Sequence, residues 1–131
     1  MKIEEVSFPK SQAYPKSYFE KYYREYPQGF IVAKEKNKIL GYAIGKLKDN
    51  SGQIISLAVD PLWRKKGIGT LFVGLLIELF KKAGAKEIFL HARTDSKEGI
   101  SFYRNIGFET TRTIKNYYRN GDDAYLMKKG I

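Results

Sequence analysis

Apolar residues recur along the chain with two different periods, and these periods predict its helices and strands. From residue 68 to residue 80 the apolar positions return every three or four residues, which predicts one buried face of a helix that ends near Gly84. The segments 29–34, 38–48 and 53–59 are rich in β-branched and aromatic residues, and short polar turns separate them. They predict three successive antiparallel strands before the helix.

Further elements are predicted on both sides of this central part. At the N-terminus the pattern predicts a short helical piece over residues 2–7, a loop over 8–15 and a helix over 16–26 whose aromatic residues face the core. A strand over 87–92 follows the long helix. This strand–helix–strand order implies a right-handed parallel crossover.

The last third of the chain predicts one more helix and two strands. Asp95 or Ser96 can cap the helix, Asp95 and Glu98 have the spacing of a capping box, and Gly107 suits its C-terminal end. Two strands are then predicted, over residues 108–115 and 124–128. The resulting order, α-α-β-β-β-α-β-α-β-β, predicts an α/β protein with a mixed sheet and a single domain over all 131 residues.

The composition limits the chemistry that is available. No apolar run reaches the roughly 20 residues of a membrane span, so we expect a cytoplasmic protein without membrane association. The chain has no cysteine, which excludes disulfides, thiolate metal sites and a cysteine nucleophile, and no bound metal is expected. Its formal charge of +10 attracts anions such as nucleic acid, the ribosome or a polyphosphate cofactor.

A basic loop with two glycines, over residues 64–70, lies between the third predicted strand and the long helix. Gly67 and Gly69 lack a Cβ atom, so backbone N–H groups can approach a ligand closely where the first turn of a helix has unsatisfied donors. Three neighbouring cations add positive charge. These features are typical of a pyrophosphate cradle, although a helix start with solvated basic residues has the same local sequence. The glycine spacing excludes both the nucleotide P-loop and the dinucleotide fingerprint.

The sequence Arg-x-x-Gly-x-Gly, after a strand that ends Leu-Ala-Val-Asp-Pro, resembles motif A of the GNAT superfamily of acetyl-coenzyme A-dependent N-acetyltransferases. Residues 90–93, Ser96 and residues 100–108 resemble the next family segment, Leu-x-Val, then Asn, then Ala-x-x-Leu-Tyr-x-x-x-Gly-Phe. Residues 115–118 and 122–127 resemble the ending of protein N-α-acetyltransferases, including ribosomal-protein alanine acetyltransferases and archaeal N-terminal acetyltransferases. The resemblance therefore extends over nearly the whole chain.

This resemblance implies the GNAT fold, a single mixed sheet of six to seven strands flanked by helices, with acetyl-coenzyme A as cofactor. The chain starts almost at its first helix, so we expect the usual first strand to be lacking, or the N-terminus to be truncated. An exposed sheet edge would invite pairing of two chains, and both a monomer and a homodimer stay open. The residues implied to bind the cofactor are Leu57, Ala58, Val59, Arg64, Lys65, Lys66, Gly67, Ile68, Gly69, Thr70, Ser96 and Tyr103. Ser96 stands where the family usually has Asn, so a shorter hydroxyl replaces the side-chain amide that donates toward the pantetheine.

The catalytic residues implied by the resemblance are Tyr103 and His91. Because the chain has no cysteine, direct attack of a neutral amine on the bound thioester is favoured over an acyl-cysteine route. Tyr103 occupies the position of the family's general-acid tyrosine, whose phenol can protonate the leaving thiolate. His91 is the only histidine, and an ordinary pKa of about 6.5 suits a general base, with a packed strand histidine as the alternative. The main chain of residues 57–59 is implied to bind the developing oxyanion.

The implied acceptor is the N-terminal α-amino group of a protein or peptide, and ribosome association would fit the basic charge. Phe8, Tyr14, Tyr117 and Tyr118 match loops that flank the peptide in protein N-α-acetyltransferases. Their rings offer rigid apolar walls, although one of the last two can instead pack the end of a hairpin onto the sheet. Alternative functions are acetylation of a small amine such as a polyamine, a non-catalytic acyl-coenzyme A sensor, and an RNA-binding accessory protein. No recognisable RNA motif favours the last of these.

Overall fold

The described part of the chain contains seven strands, which form one mixed sheet in the order β1-β2-β3-β4-β5-β7-β6. The computed structural model describes residues 2–4 and 16–131. The strands are β1 (Lys2–Glu4), β2 (Phe30–Glu35), β3 (Lys38–Lys48), β4 (Ser51–Val59), β5 (Glu87–Arg93), β6 (Glu109–Ile114) and β7 (Ala124–Gly130). Among these strands β4 and β5 pair in parallel and the other neighbours are antiparallel, which confirms the predicted crossover and the α/β class with a mixed sheet.

The helices lie on both faces of this sheet. They are α1 (Lys16–Glu25), α2 (Ile68–Lys82) and α3 (Lys97–Asn105), and short 3-10 turns precede β2 (Pro27–Gly29) and the basic loop (Pro61–Trp63). In the described ranges, none of the helices combines the length and the apolar character that crossing a membrane would need.

Two apolar clusters fill the space between the helices and the sheet. The larger one contains Phe72 and Phe80 of α2, both fully buried, together with apolar residues of α3 and the central strands. The smaller one joins Phe19 of α1 to Phe30 and Tyr42, and the rings of Phe19 and Tyr42 meet edge-on with centroids 5.3 Å apart. The helical spacing therefore identified the buried faces of α1 and α2.

The N-terminal segment differs from the prediction. Lys2–Glu4 forms strand β1, which pairs antiparallel with β2 at the edge of the sheet. The expected helix over residues 2–7 is therefore wrong for these residues, and so is the expectation that the first strand is lacking. Three residues are too few to display a two-residue period, and pairing with β2 is a long-range interaction that local sequence does not reveal. The predicted loop over residues 8–15 lies outside the described residues.

The start of α3 also differs from the prediction. Ser96 is the N-cap residue, and its carbonyl accepts a hydrogen bond from the Ile100 N–H at 2.9 Å, but its side chain makes no capping bond. Glu98 is therefore the second helical residue, whereas a capping box needs an acid at the third, so the predicted box of Asp95 and Glu98 is wrong. Gly107 has a φ of 104° and ends the turn after α3, as predicted.

Strand β4 changes its pairing halfway along, and this change shapes the site. A bulge leaves Ile55 without a direct partner in β3. Pairing with β5 ends at Ile54 and Leu90. Beyond that pair, Leu57 and Val59 pack against the larger cluster, and the sheet opens between the C-terminal ends of β4 and β5.

Candidate active site

A cleft of about 770 Å³ lies where the end of β4, the basic loop and α3 meet. It brings together segments that are far apart in the sequence. The predicted cofactor-binding residues that line it are Leu57, Ala58, Val59, Arg64, Lys65, Gly67, Ile68, Gly69, Thr70, Ser96 and Tyr103. Lys66 is exposed and is not part of the wall.

The basic loop is attached to the end of β4 and has the backbone shape of an anion site. Arg64 donates a hydrogen bond from Nε to the Val59 carbonyl oxygen at 3.2 Å. Gly67 is the N-cap of α2 with a φ of 86°, and a Cβ atom placed there would have no atom within 4 Å. Since no side chain caps α2, the N–H groups of its first turn are available to an anion. The loop therefore fits the pyrophosphate of coenzyme A.

Most of the wall residues that sequence reasoning did not assign lie on helix α3, which also carries the predicted residue Tyr103. The additional lining residues are Trp63, Glu98, Gly99, Ser101, Phe102 and Asn105. Glu98, Ser101, Phe102 and Asn105 are spaced by three, four and seven residues, so their helical spacing is the signal that identifies this wall. Phe102 also contacts the basic loop, because a Cβ atom at Gly69 would lie 3.0 Å from its Cζ. A side chain at position 69 would therefore need the Phe102 ring to move by a few tenths of an ångström.

Tyr103 places a phenol in the wall of the cleft. Its ring makes edge contacts with Phe102 and Phe108, at centroid distances of 5.0 and 5.4 Å. Burial raises the pKa of this phenol well above its ordinary value, so it stays protonated at neutral pH. Within the described residues its hydroxyl has no hydrogen-bond partner, and no buried polar side-chain atom there is unsatisfied. The hydroxyl is therefore accessible and can donate to a bound group.

His91 lies on β5 at the opening of the sheet, one residue beyond the last pair with β4. It is not part of the cleft wall. Its ring stacks on Tyr117 with centroids 4.5 Å apart, and the Tyr117 hydroxyl lies 3.4 Å from its Nδ1. Burial, followed by the charges of Lys48 and Arg112, lowers the pKa of His91, so the neutral ring is favoured at pH 7.

The loop between β6 and β7, which carries both predicted acceptor tyrosines, is held against the end of β5. The Arg93 guanidinium lies 2.6 Å from an Asp122 carboxylate oxygen and 3.9 Å from the centroid of the Tyr118 ring. A hydrogen bond from the Asn116 N–H to Asp123 closes the loop, and this bond is the main cause of the lowered pKa of the Asp123 carboxyl. No local pattern indicates a role for Arg93, because its partner Asp122 is 29 residues away in the sequence.

The predicted site residues thus form two groups on either side of the sheet opening. The cofactor residues and Tyr103 lie on the side of α2 and α3, and His91 with Tyr117 lies on the opposite side. Phe8 and Tyr14, the other two predicted acceptor residues, lie outside the described residues.

Comparison with known families identifies one match over most of the chain. The model of the acetyltransferase (GNAT) family matches residues 1–108. An N-alpha-acetyltransferase of Sulfurisphaera tokodaii is 28% identical over 140 residues, which cover 97% of this chain and 83% of the relative.

Solved structures with the same fold include two that carry bisubstrate analogues. Chaetomium thermophilum Naa20, in complex with such an analogue, superposes with a TM-score of 0.90 at 25% identity over 100% of this chain and 87% of the other. Arabidopsis thaliana Naa50 in complex with the analogue CoA-Ac-MVNAL gives a TM-score of 0.84 at 26% identity, covering 99% and 98% of the two chains.

Proposed function

The chain belongs to the acetyltransferase (GNAT) family and is an acetyl-coenzyme A-dependent N-acetyltransferase, and we propose that its acceptor is the N-terminal α-amino group of proteins. The observation that carries this proposal is the opening of the sheet between β4 and β5. The cofactor cleft lies on one side of it and the stacked pair of His91 and Tyr117 lies on the other. An amine can therefore approach from the side opposite the cofactor.

The residues of the cleft fit acetyl-coenzyme A. The open backbone at Gly67 and the cations Arg64 and Lys65 suit its pyrophosphate. The free edge of β4 beyond Ile54 offers main-chain groups next to the cleft residue Leu57. When bound, the cofactor supplies the acetyl group as a thioester that a neutral amine can attack.

Two side chains have the proton chemistry for this transfer. The Tyr103 phenol is protonated and accessible, so it can donate to the leaving sulfur. The neutral His91 ring can accept a proton from the amine, directly or through water. An α-amino group has an ordinary pKa near 8 and a lysine side chain about 10.4, so a weak base is better matched to a protein N-terminus than to an internal lysine.

The similar proteins support this acceptor class. The Sulfurisphaera relative is named an N-alpha-acetyltransferase, and the analogue bound to Naa50 joins coenzyme A to the peptide MVNAL through an acetyl group. In this chain, the tyrosines at 117 and 118 form a rigid aromatic wall that suits a peptide backbone, because their rings meet edge-on at 4.9 Å.

The test is thiol release from acetyl-coenzyme A in the presence of different amines. The panel contains peptides with free N-termini that differ in residue one, the same peptides with blocked N-termini and an internal lysine, and spermidine. We expect turnover with the free N-termini and at least ~10-fold lower kcat/KM for the others, since these amines are more basic. Acetylation of spermidine alone would show that the acceptor is a small amine.

The pH profile of the reaction tests the role of His91. Because the pKa of His91 is lowered, the plot of kcat/KM against pH should have a rising limb whose midpoint lies below the ordinary histidine pKa of about 6.5. Replacement His91→Gln should remove this limb and lower kcat/KM by about 10²-fold. A His91→Gln enzyme with an unchanged limb would identify His91 as a packing residue.

The same pKa shift affects folding. The unfolded chain binds the His91 proton more readily than the folded chain, so this contribution to stability is present above pH ~6.5 and is lost as the pH falls through the lower folded pKa. Urea unfolding at several pH values, with His91→Gln as the reference, measures this contribution to the free energy of unfolding. An equal pH dependence in the two proteins would contradict the shift.

Arg93 is expected to position the loop of the acceptor side. Replacement Arg93→Met removes both the pair with Asp122 and the stacking on Tyr118, so KM for the peptide should rise about 10-fold while KM for acetyl-coenzyme A stays within twofold. For Arg93→Lys, KM for the peptide should lie between the values of the wild-type enzyme and Arg93→Met, because lysine keeps the charge but not the planar guanidinium. Arg104→Met, on the exposed face of α3, is the matched control. Equal changes in both KM values would assign Arg93 a general structural role.

A further inference from the structure

One part of the sheet face that contains His91 is half-buried, apolar at its centre and basic at its margin. The register places His91 of β5, Leu126 of β7 and Arg112 of β6 in one row. Directly opposed residues share a face, so these three side chains are on the side away from α2 and α3. Phe89 lies on the same face of β5 and meets the His91 ring edge-on at 6.0 Å. We call this surface, consisting of Phe89, His91, Leu126 and Arg112 with Lys48 at its margin, the basic face.

The described helices leave the basic face uncovered. Helix α1 belongs to the smaller cluster with β2, β3 and β4, and α2 and α3 belong to the larger cluster on the other side. Phe89, His91 and Leu126 are partly exposed and Arg112 is exposed. The face begins at the sheet opening, where the proposed acceptor amine reacts, and extends away from it.

The charges of the basic face are unbalanced. Glu87 is paired with Lys128 at 3.5 Å, and Glu109 lies opposite Lys128 in the β6–β7 register. Lys48 and Arg112 have no ion-pair partner among the side chains of residues 17–131, the part of the chain whose side chains the structure describes. Both cations act on His91, since each lowers the pKa of its ring. By register, the uncompensated charge of Arg112 lies two strands from His91, in the same row of the sheet face.

We propose that the basic face binds the segment of the acceptor protein that follows its N-terminal residues, and that it selects acidic side chains at about positions three to five. The inference rests on the proposed function. Arg112 is two strands away from His91, which is ~10 Å at ~4.8 Å per strand. An extended peptide advances ~3.3 Å per residue, so about three residues separate the reacting amine from an acid that reaches Arg112. Phe89 and Leu126 provide an apolar surface for the intervening residues.

The experiment compares three peptides that share their first two residues and their length and carry Glu, Gln or Lys at positions three to five. With the wild-type enzyme at low salt we expect kcat/KM to fall in the order Glu, Gln, Lys, with about fivefold between neighbours, which corresponds to the strength of exposed ion pairs. The difference should shrink at high salt because the charges are solvent-exposed. Replacement Arg112→Glu should abolish or reverse the order, and Lys48→Glu should weaken it.

Lys36→Glu is the control, since it makes the same charge change on the exposed turn between β2 and β3, on the far side of β4. This variant should keep the wild-type order. Equal acetylation of all three peptides by the wild-type enzyme would overturn the inference while the proposed function stands, and no acetylation of any free N-terminus would overturn both. A short RNA that competes with all three peptides equally, and loses binding in Arg112→Glu, would assign the face to nucleic acid and also overturn the inference.

Discussion

Replacing Tyr103 by phenylalanine is expected to lower kcat by about 10²-fold or more, while the affinity for acetyl-coenzyme A changes little. General acid catalysis by one side chain contributes ~10²–10⁴-fold, and this substitution removes the donor without removing the ring. The ring should keep its edge contacts with Phe102 and Phe108, so folding should be unaffected. Steady-state kinetics with a saturating peptide, together with a binding titration of coenzyme A, measure the two quantities separately.

Tyr125→Phe is the matched control for this experiment. Tyr125 is a partly buried tyrosine of β7 that packs on the same apolar cluster but does not line the cofactor cleft. Loss of its hydroxyl should leave kcat within about twofold, since a phenol outside the site takes no part in proton transfer. If Tyr103→Phe and Tyr125→Phe had the same kcat, the proton that the leaving thiolate takes up would have to come from water or from the peptide.

Replacing Gly52 by alanine is expected to destabilise the protein by about 3 kcal/mol or more, a large part of the ~5–15 kcal/mol typical of a folded domain. A Cβ atom at this position of β4 would overlap the ring of Phe80, which is fully buried between α2 and the sheet. Because protein interiors are closely packed, moving the ring or the strand aside costs free energy. Urea unfolding at constant pH gives the free energy directly.

Gly74→Ala provides the opposite result with the same chemical change. Gly74 is exposed in the middle of α2, and a Cβ atom there would have no neighbour within 4 Å. Because alanine favours a helix over glycine, we expect a gain of up to ~1 kcal/mol. If both variants were equally stable, Phe80 would have to adopt another position without cost, contrary to the dense packing around it.

The parts of the fold that follow a local pattern could be predicted from the sequence. The buried face of α2 repeats every three to four residues, and Phe72 and Phe80 on that face are fully buried. The glycine spacing of the basic loop predicted a pyrophosphate cradle, and the family resemblance around Tyr103, Gly107 and Phe108 predicted a phenol at the same site; the loop and Tyr103 both line the cleft. These features depend on residues that are close in the sequence, where chain geometry allows few alternatives.

The features that local sequence did not show are contacts between distant residues. His91 and Tyr117 are 26 residues apart and Arg93 and Asp122 are 29 apart, yet each pair is in contact across the end of β5. Strand β1 is three residues long and depends on its pairing with β2. In the sequence Gly52 looks like an ordinary turn glycine. Only the structure shows that a side chain at this position would overlap the Phe80 ring.

For this protein, the sequence by itself determined the α/β class and the family and predicted most residues that line the cleft, because helical periods and loop motifs are encoded over short stretches of chain. Only the tertiary structure decided which groups share the sheet face of the proposed acceptor site. The end of pairing at Ile54 and Leu90 opens the sheet, and the register of β5, β7 and β6 brings His91 and Arg112 onto the same face. Strand register depends on long-range packing, and a shift of one residue would turn these side chains to the opposite side.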